Sequence, residues 1–252
     1  MKLVVLGSGT GLPTPGRGPA GYLVEAGGSW MAWDCGSGTL HRLVENGYDW
    51  KRIDDVFLTH LHPDHCADLV ALLFANNWEP ERRALHPMRV VGPKGVRAFV
   101  AGLYALYPGL SWKGFAPLVD EWEDGGGKDG PSWRVSGAPV DHADLEAMAL
   151  RIECEGRVLV YSGDTGETDR IVAAARGAHT LLVECSFPDE VTGIRSHLTA
   201  GGAGRVAAAA GVQRVVLTHF YPECNGVDLR AQCAATFDGD IVLAHDGLEL
   251  EI

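Results

Sequence analysis

The sequence of 252 residues predicts an α/β protein with two β-sheets flanked by helices. Short apolar runs of strand length recur along the chain, and segments with helical periodicity lie between them. The early strands follow one another closely enough to pair as hairpins, whereas the later ones alternate with helices. This order favours two sheets covered by helices on their outer faces over a single doubly wound sheet.

These patterns place the elements in the following order. Strands are expected at residues 2–6, 22–26, 30–34, 55–59, 88–92, 135–140, 150–153, 158–162, 180–184, 214–218 and 241–243. Helices are expected at residues 38–46, 67–77, 94–107, 167–175 and 199–210, the last with an alanine-rich face. The acidic, glycine-rich segment 120–131 predicts a mobile surface loop that joins the two halves. Neither side of this loop resembles an independent domain, so we expect one domain over residues 1–252.

The region upstream of that loop is rich in aromatic residues: Trp78, Tyr104, Tyr107, Trp112 and Phe115. We expect most of these rings to lie in the hydrophobic core. The alternatives are a hydrophobic wall or lid over a functional cleft, or a dimer contact.

Composition limits the class of protein. A hydrophobic fraction of 46% is enough for a sizeable core, and no apolar stretch approaches the roughly 20 residues of a membrane span. The apolar part of the first residues is too short for a signal peptide, so we expect a cytoplasmic protein with no membrane partner. The six cysteines show no CxxC pair, which favours reduced thiols over a disulfide framework.

The formal net charge of −12 counts against a broad electrostatic footprint for nucleic acid. A local basic pocket is still compatible with this balance. A long nucleic acid is therefore not the expected partner.

The most informative motif is His-Leu-His-Pro-Asp-His at residues 60–65, directly after the apolar run 56–58. So many imidazole and carboxylate groups are costly to pack unless a cation organises them. His60 and His62 can point one way from an extended turn, while Asp64 and His65 reach another, which suits two adjacent metal ions better than one. The alternative is a solvated loop that happens to contain three histidines.

Four further polar motifs lie at predicted strand or loop ends: Asp141-His142, Gly163-Asp164-Thr165, Ser196-His197 and Thr218-His219. Each is weak by itself, because a lone histidine is usually a surface or core residue. Together with residues 60–65 they form a nitrogen and oxygen donor set without thiolate. Such a set fits zinc, manganese or iron, and zinc is the commonest choice.

These motifs together resemble those of the metallo-β-lactamase fold superfamily, whose members form a four-layered αββα sandwich. The matching residues, in the family's order, are His60-Leu-His-Pro-Asp-His65, His142, Ser162-Gly-Asp-Thr165 and Thr218-His219, together with the strand end Asp34-Cys-Gly-Ser-Gly38. The resemblance spans most of the chain and agrees with the strand and helix pattern. It implies a metal-dependent hydrolase.

The resemblance also implies a ligand set for two divalent metal ions, zinc first and manganese or iron as alternatives. In this set His60, His62 and His142 bind the first ion, Asp64, His65 and His219 bind the second, and Asp164 bridges the two. Two ions about 3.5–4 Å apart make a bridging hydroxide nucleophilic at neutral pH. Asp64 is also expected to hold this hydroxide in line for attack.

Within the superfamily, later segments are similar to the ribonuclease Z branch: Leu181-Leu-Val-Glu-Cys185, Ser196-His-Leu-Thr-Ala200 and Gly211-Val-Gln-Arg-Val-Val-Leu-Thr-His219. The N-terminal segment Leu6-Gly-Ser-Gly-Thr-Gly-Leu-Pro13 is similar as well. In that branch, the histidine that matches His197 assists at the scissile phosphate, and the acid that matches Glu184 orients it. A carboxylate suits this role because it fixes the tautomer of the imidazole and raises its pKa.

One segment departs from the ribonuclease Z pattern. Short ribonuclease Z proteins carry a long arm that grips transfer RNA, between the positions that match His142 and Asp164. Here residues 143–163 are too few for the arm and read as two strands. We therefore expect a phosphodiesterase for a small substrate, such as a cyclic nucleotide or a short oligonucleotide, rather than a transfer-RNA 3′-processing endonuclease. The resemblance further implies a homodimer.

Several alternatives stay open. A carboxylester, lactone or aryl sulfate hydrolase would share the same ligands, an iron redox enzyme of the same fold would share the site, and a non-catalytic metal-stabilised binding protein is a third class. The glycine-rich start superficially suggests a dinucleotide fingerprint, but Leu12 takes the last glycine position and Pro13 and Pro15 forbid the required helix. We expect this loop to line the metal cleft, with Arg17 at a substrate phosphate.

Overall fold

The computed structural model describes residues 1–252 and contains two seven-stranded β-sheets that share a core, with helices outside them. The strands are β1 (Lys2–Gly7), β2 (Gly21–Ala26), β3 (Ser29–Cys35), β4 (Ile53–Phe57), β5 (Arg89–Pro93), β6 (Leu118–Trp122), β7 (Gly127–Asp129), β8 (Trp133–His142), β9 (Leu145–Cys154), β10 (Arg157–Tyr161), β11 (Thr180–Glu184), β12 (Arg214–Thr218), β13 (Asp240–Leu243) and β14 (Glu249–Glu251). The helices are α1 (Thr39–Glu45), α2 (Pro63–Cys66), α3 (Leu69–Asn76), α4 (Pro80–Leu85), α5 (Val96–Leu106), α6 (Asp169–Ala175), α7 (Ala200–Ala210) and α8 (Leu229–Ala234). The predicted α/β class with two sheets is confirmed.

Each sheet is antiparallel on one side and parallel on the other. The first has the order β14-β1-β2-β3-β4-β5-β6, in which the pairs from β14 to β3 are antiparallel and those from β3 to β6 are parallel. The second has the order β13-β12-β11-β10-β9-β8-β7, with hairpins from β7 to β10 and parallel pairs from β10 to β13. The carboxyl ends of parallel strands meet at one edge of a sheet, and this edge is where the polar motifs of the sequence lie.

The inner strands of the first sheet, β1 to β5, are buried on both faces. In β1, Leu3 and Val5 join the core shared by the two sheets, whereas Val4 and Leu6 pack under the outer helices. Alternation between two apolar environments explains why such strands read as continuous apolar runs rather than as an apolar and polar alternation.

The prediction of a loop over residues 120–131 is wrong in part. This segment contains the end of β6 and all of β7, which are the edge strands of the two sheets. β6 is mostly exposed or half-buried, and Lys128 of β7 forms an ion pair with Asp55 at 2.5 Å. Edge strands carry charged residues because one side faces solvent, so their sequences lack the apolar pattern that identifies a buried strand.

The aromatic segment also differs from expectation. Trp78, Tyr107 and Trp112 are 46%, 48% and 66% exposed, so the prediction that most of this segment lies in the core is wrong for them. The Trp78 ring lies 4.8 Å from Phe74 and 5.5 Å from Trp112, centroid to centroid. We call Phe74, Trp78 and Trp112 the aromatic patch.

The six cysteines are all buried free thiols, as expected. None of the helices is both long enough and apolar enough to cross a bilayer. The expectation that residues 1–252 form one domain stays a prediction.

Candidate metal centre

The structure brings all the site residues that were predicted from the sequence to one edge of the two sheets. His60 and His62 lie in the loop after β4, and α2 carries Asp64 and His65. The second sheet contributes His142 at the end of β8, Asp164 in the turn after β10 and Glu184 at the end of β11. His219 directly follows β12, and His197 lies in the loop before α7. The site is thus built from both sheets, and its geometry depends on how they pack.

The first group of donors consists of three imidazoles and a carboxylate. His62 Nδ1 lies 3.0 Å from His60 Nε2 and 3.3 Å from His142 Nε2. Asp164 Oδ2 lies 3.8 Å from both His60 Nε2 and His142 Nε2. Adjacent ligand atoms around a tetrahedral zinc ion with bonds of about 2.0–2.1 Å are about 3.4 Å apart. These four atoms therefore have the spacing of one metal site.

The second group has the same spacing. His65 Nε2 and His219 Nε2 are 3.2 Å apart, and Asp164 Oδ1 lies 3.3 Å from the first and 3.4 Å from the second. Asp64 Oδ2 is 3.5 Å from His219 Nε2 and 3.9 Å from His65 Nε2. These side chains form a second group suited to a metal ion.

Asp164 belongs to both groups and directs a different oxygen to each. Its carboxylate is 2% exposed, and Oδ1 has no hydrogen-bond partner in the protein. An unpartnered buried carboxylate oxygen is costly, and a cation beside it removes that cost. The donor set therefore fits a pair of metal ions with Asp164 between them.

The protonation of the cluster also indicates an affinity for cations. Burial and the neighbouring His65 hold the pKa of His60 well below its usual value, so its imidazole keeps a free lone pair. Burial lowers the pKa of His65 as well, but Asp164 and Asp34 outweigh it and raise that pKa well above the usual value. The carboxylates of Asp164 and Asp34 thus favour positive charge on the second donor group.

Asp34 hydrogen-bonds to His65 of the second group, a role that the sequence did not reveal. Its buried carboxylate accepts hydrogen bonds from His65 Nδ1 at 2.7 Å, from Tyr161 Oη at 2.8 Å and from Thr59 N at 2.7 Å and Oγ1 at 2.8 Å. The bond to Nδ1 fixes the tautomer of His65 and leaves Nε2 free for a metal ion. Thr59 Oγ1 also contacts His60 Nδ1 at 3.1 Å, so Asp34 influences both groups. The only sequence signal was an aspartate at the end of a strand before Cys-Gly.

Two of these residues have left-handed backbone conformations. Asp34 has φ 54° and His219 has φ 59°. Such conformations are uncommon for residues other than glycine and cluster at functional sites. Asp34 lies one residue before the end of β3, and His219 directly follows β12, so both strained residues stand at strand ends beside the donor groups.

His197 lies beside both groups, because it clusters with Asp164 and His219, and it is held by Glu184. The Glu184 carboxylate oxygens lie 3.1 and 3.2 Å from His197 Nδ1, and that nitrogen is 4.0 Å from Asp164 Oδ2. Burial lowers the pKa of His197, but the hydrogen bond and charge of Glu184 more than compensate, so its pKa is raised. Ser186, also not singled out from the sequence, donates to Glu184 Oε2 at 2.5 Å and lies 3.1 Å from His219 Nδ1.

The glycine-rich loop after β1 lines the centre, as expected, because Gly11 N donates to Asp64 Oδ2 at 2.9 Å. No helix follows β1, in agreement with the rejection of a dinucleotide fingerprint. Arg17 instead donates to Ser8 Oγ at 2.8 Å and to the Ala244 carbonyl at 2.9 Å, and it stacks on Phe220. The structure therefore gives Arg17 a role in holding the loop.

Comparison with known proteins agrees with this geometry. Residues 23–220 match the model of the beta-lactamase superfamily domain. Ribonuclease Z of Mycobacterium marinum (strain ATCC BAA-535 / M) is 31% identical over 278 aligned residues, which cover 100% of this chain and 99% of the relative. The metallo-beta-lactamase fold protein YhfI from Bacillus subtilis has a TM-score of 0.85 at 25% identity, and the human short-form tRNase Z has 0.77 at 22%; each match covers 100% of this chain and 99% of the other.

The alignment with the Mycobacterium marinum protein spans more positions than the 252 residues of this chain, so that relative contains residues with no counterpart here. The similarity otherwise extends over both whole chains, and the fold agrees with the family. The chain belongs to the β-lactamase superfamily and is a metal-dependent hydrolase.

Proposed function

We propose that the chain is a phosphodiesterase that uses two divalent metal ions, zinc first, and acts on a small phosphodiester such as a cyclic nucleotide or a short oligonucleotide. The observation that carries this proposal is the Glu184–His197 pair beside the two donor groups. Ligand groups alone suit the hydrolysis of many esters, whereas an acid–histidine pair supplies a proton donor for a poor alkoxide leaving group.

The residues divide the work as follows. His60, His62 and His142 would hold one ion and Asp64, His65 and His219 the other, with the Asp164 carboxylate between the two donor groups. When bound, the two ions supply a nucleophile from water at neutral pH and stabilise the charge that develops on the phosphoryl oxygens. Asp64 orients the nucleophile, and Gly11 N keeps the Asp64 carboxylate in place.

His197 acts at the leaving oxygen. Glu184 engages Nδ1, and Nε2 has no hydrogen-bond partner in the protein, so this nitrogen can present its proton to a substrate. Glu184 also accepts from Thr165 N at 2.6 Å and Leu198 N at 3.1 Å, which fixes the carboxylate on both sides. A histidine held in this way donates its proton without first having to reorient.

The connections between strands argue for a small substrate. β8 ends at His142 and β9 begins at Leu145, while β9 ends at Cys154 and β10 begins at Arg157. Both connections are tight turns in the region where ribonuclease Z proteins carry their arm. The net charge of −12 also opposes binding of a long polyanion. Transfer-RNA processing is therefore the less favoured function.

The proposal is tested with bis(p-nitrophenyl) phosphate and the protein loaded with zinc, manganese or iron. We expect hydrolysis with at least one of these metals, and His60→Ala should abolish it because the first donor group loses a member. His41→Ala is the matched control, since His41 is an exposed histidine in α1. A fully metal-loaded protein that hydrolyses no phosphodiester would overturn the proposal.

Carboxylester, lactone and aryl sulfate substrates are assayed in parallel with a transfer-RNA precursor. We expect the phosphodiester to be hydrolysed with the highest kcat/KM. His197→Ala should lower kcat/KM for a thymidine dinucleotide, whose alkoxide leaving group needs a proton, more than kcat/KM for bis(p-nitrophenyl) phosphate, whose good leaving group needs none. A preference for sulfate or carboxylester would favour the alternative hydrolase.

We also propose a homodimer in the cytoplasm. Exposed, contiguous aromatic rings such as the aromatic patch are typical of protein contact surfaces, and six unpaired thiols fit a reducing compartment. Size-exclusion chromatography with light scattering should give twice the chain mass of 26.9 kDa. A monomer at all concentrations would contradict the dimer.

A further inference from the structure

A cleft of about 650 Å³ opens beside His197, outside the donor groups. Its walls are the loop 191–195, the turn at Glu167 and Thr168 and the start of α7 at Thr199. The volume is within the range of small-molecule sites. None of the seven proposed metal ligands lines it, so the cleft is an adjoining space.

His197 belongs to both the cleft and the metal centre, because it lines the first and lies 4.0 Å from Asp164 of the second. On the proposed function, on which this inference rests, His197 delivers a proton to the leaving oxygen. The group attached to that oxygen then extends past His197, away from the metal ions, and enters the cleft.

Most charged groups in the walls are already compensated. Arg205 forms two bonds of 2.7 Å with Glu167, and Asp189 accepts from Gly201 N at 2.8 Å. At the start of α7, Thr199 Oγ1 accepts from Gly202 N, so this amide is also engaged. Arg195 is the one arginine in the walls without a carboxylate within 4.0 Å.

The backbone of Arg195 is anchored to the metal centre on two sides. The next residue, Ser196, accepts a hydrogen bond from His142 Nδ1 at 3.0 Å. The Arg195 carbonyl oxygen packs so closely on Gly166 that a Cβ there would lie 2.1 Å from it. Gly166 is two residues from Asp164. The backbone of Arg195 is therefore held at a fixed distance from the metal centre, although the Arg195 side chain is exposed.

We propose that this cleft binds the leaving-alcohol half of the substrate and that Arg195 binds a second phosphate carried on that half. The preferred substrate class is then an oligonucleotide or nucleotide ester whose leaving alcohol is itself phosphorylated. Arg195 is a specificity-determining residue, because a guanidinium binds phosphate oxygens through paired, charge-assisted hydrogen bonds. A simple aryl phosphodiester leaves the cleft without an anion.

The test uses three thymidine dinucleotides, with a terminal phosphate at the 5′ end, at the 3′ end or at neither, and bis(p-nitrophenyl) phosphate as the reference. Products are separated by chromatography. The wild type should cleave one of the phosphorylated dinucleotides with kcat/KM about 10-fold above the unphosphorylated one, the size expected of a bond to a charged group. Arg195→Ala should remove this preference and leave the reference rate unchanged, and Arg195→Lys should restore part of it.

Arg157→Ala is the matched control, since Arg157 is an exposed arginine at the far end of β10. It should keep the wild-type preference. Equal rates on all three dinucleotides in the wild type, or an equal loss on all substrates in Arg195→Ala, would overturn the inference while the phosphodiesterase proposal stands. Failure of the wild type on bis(p-nitrophenyl) phosphate and on every dinucleotide would overturn both.

Discussion

Replacement of Asp34 by asparagine tests how the fold prepares the second donor group. Asparagine keeps the shape of the side chain and, like aspartate, tolerates the left-handed backbone at φ 54°. It removes the charge and places an amide NH₂ where the carboxylate accepts from His65 and Tyr161. The amide NH₂ favours the His65 tautomer in which Nδ1 accepts a hydrogen bond. That tautomer carries its proton on Nε2, the atom that faces Asp164 and His219.

The expected magnitude follows from the bonds that are lost. A hydrogen bond to a charged group contributes about 1.5–3 kcal/mol, and one or two of the four bonds of Asp34 cannot be replaced by the amide. We expect Asp34→Asn to lower the free energy of unfolding of the metal-free protein by about 2–5 kcal/mol. Metal affinity at the second donor group should fall about 10- to 100-fold, as it does when the hydrogen-bonding partners of metal ligands are removed.

Urea unfolding followed by circular dichroism measures the first effect, and isothermal titration calorimetry with zinc measures the second. Tyr161→Phe is the control: it removes one bond to the same carboxylate and costs about 1.5–3 kcal/mol, but it leaves the tautomer of His65 unchanged. Zinc binding by Asp34→Asn as tight as that by Tyr161→Phe would show that Asp34 does not fix the tautomer of His65.

Three further predictions concern packing, pH and metal removal. Gly36→Ala should weaken metal binding and lower the melting temperature, because a Cβ there would lie 2.1 Å from the Asp64 carbonyl oxygen; unchanged zinc titrations would contradict this. Burial raises the pKa of Cys224 to about 12 and of Cys233 to about 11, above the usual 9.0. The unfolded chain therefore releases these protons first, and stability to urea should fall as pH rises above 9.0; no change between pH 8 and 11 would count against this burial. Removal of metal with a chelator should lower the melting temperature by roughly 5–10 °C relative to protein at 100 times the metal Kd, measured by calorimetry; an equal melting temperature would argue against a native metal site.

The sequence predicts the fold well where strands are buried on both faces. Apolar runs such as residues 2–6 and 214–218 have one interpretation, since only a covered sheet accommodates them. The edge strands β6 and β7 lack such apolar runs, because their charged side chains face solvent. The short helices α4 and α8 and strand β14 are too brief to establish a period.

The candidate site was likewise predicted only in part from the sequence. Four of its seven donor residues, His60, His62, Asp64 and His65, lie close together in one motif, and their residue types alone limit the chemistry. The roles of Asp34 and Ser186 depend on contacts between distant strands, which no local pattern contains. Arg17 shows the opposite error: a cation in a glycine-rich loop suggests a phosphate, but the fold uses it to bind Ser8 and a backbone carbonyl.

The aromatic patch illustrates a further limit. Trp78 and Trp112 are large apolar residues, and composition alone places such residues inside. Whether a particular tryptophan is covered depends on how α3 and the segment after α5 pack, and here they leave both rings at the surface.

In the proposed function, one chain binds two metal ions and uses them for phosphodiester hydrolysis. The most direct test is a titration of zinc or manganese into the metal-free protein while the hydrolysis of bis(p-nitrophenyl) phosphate is recorded. Two adjacent donor groups joined by Asp164 predict a rate that rises until two equivalents of metal per chain are bound and is then constant. A rate that is already maximal at one equivalent, or no hydrolysis at any metal concentration, would contradict the account.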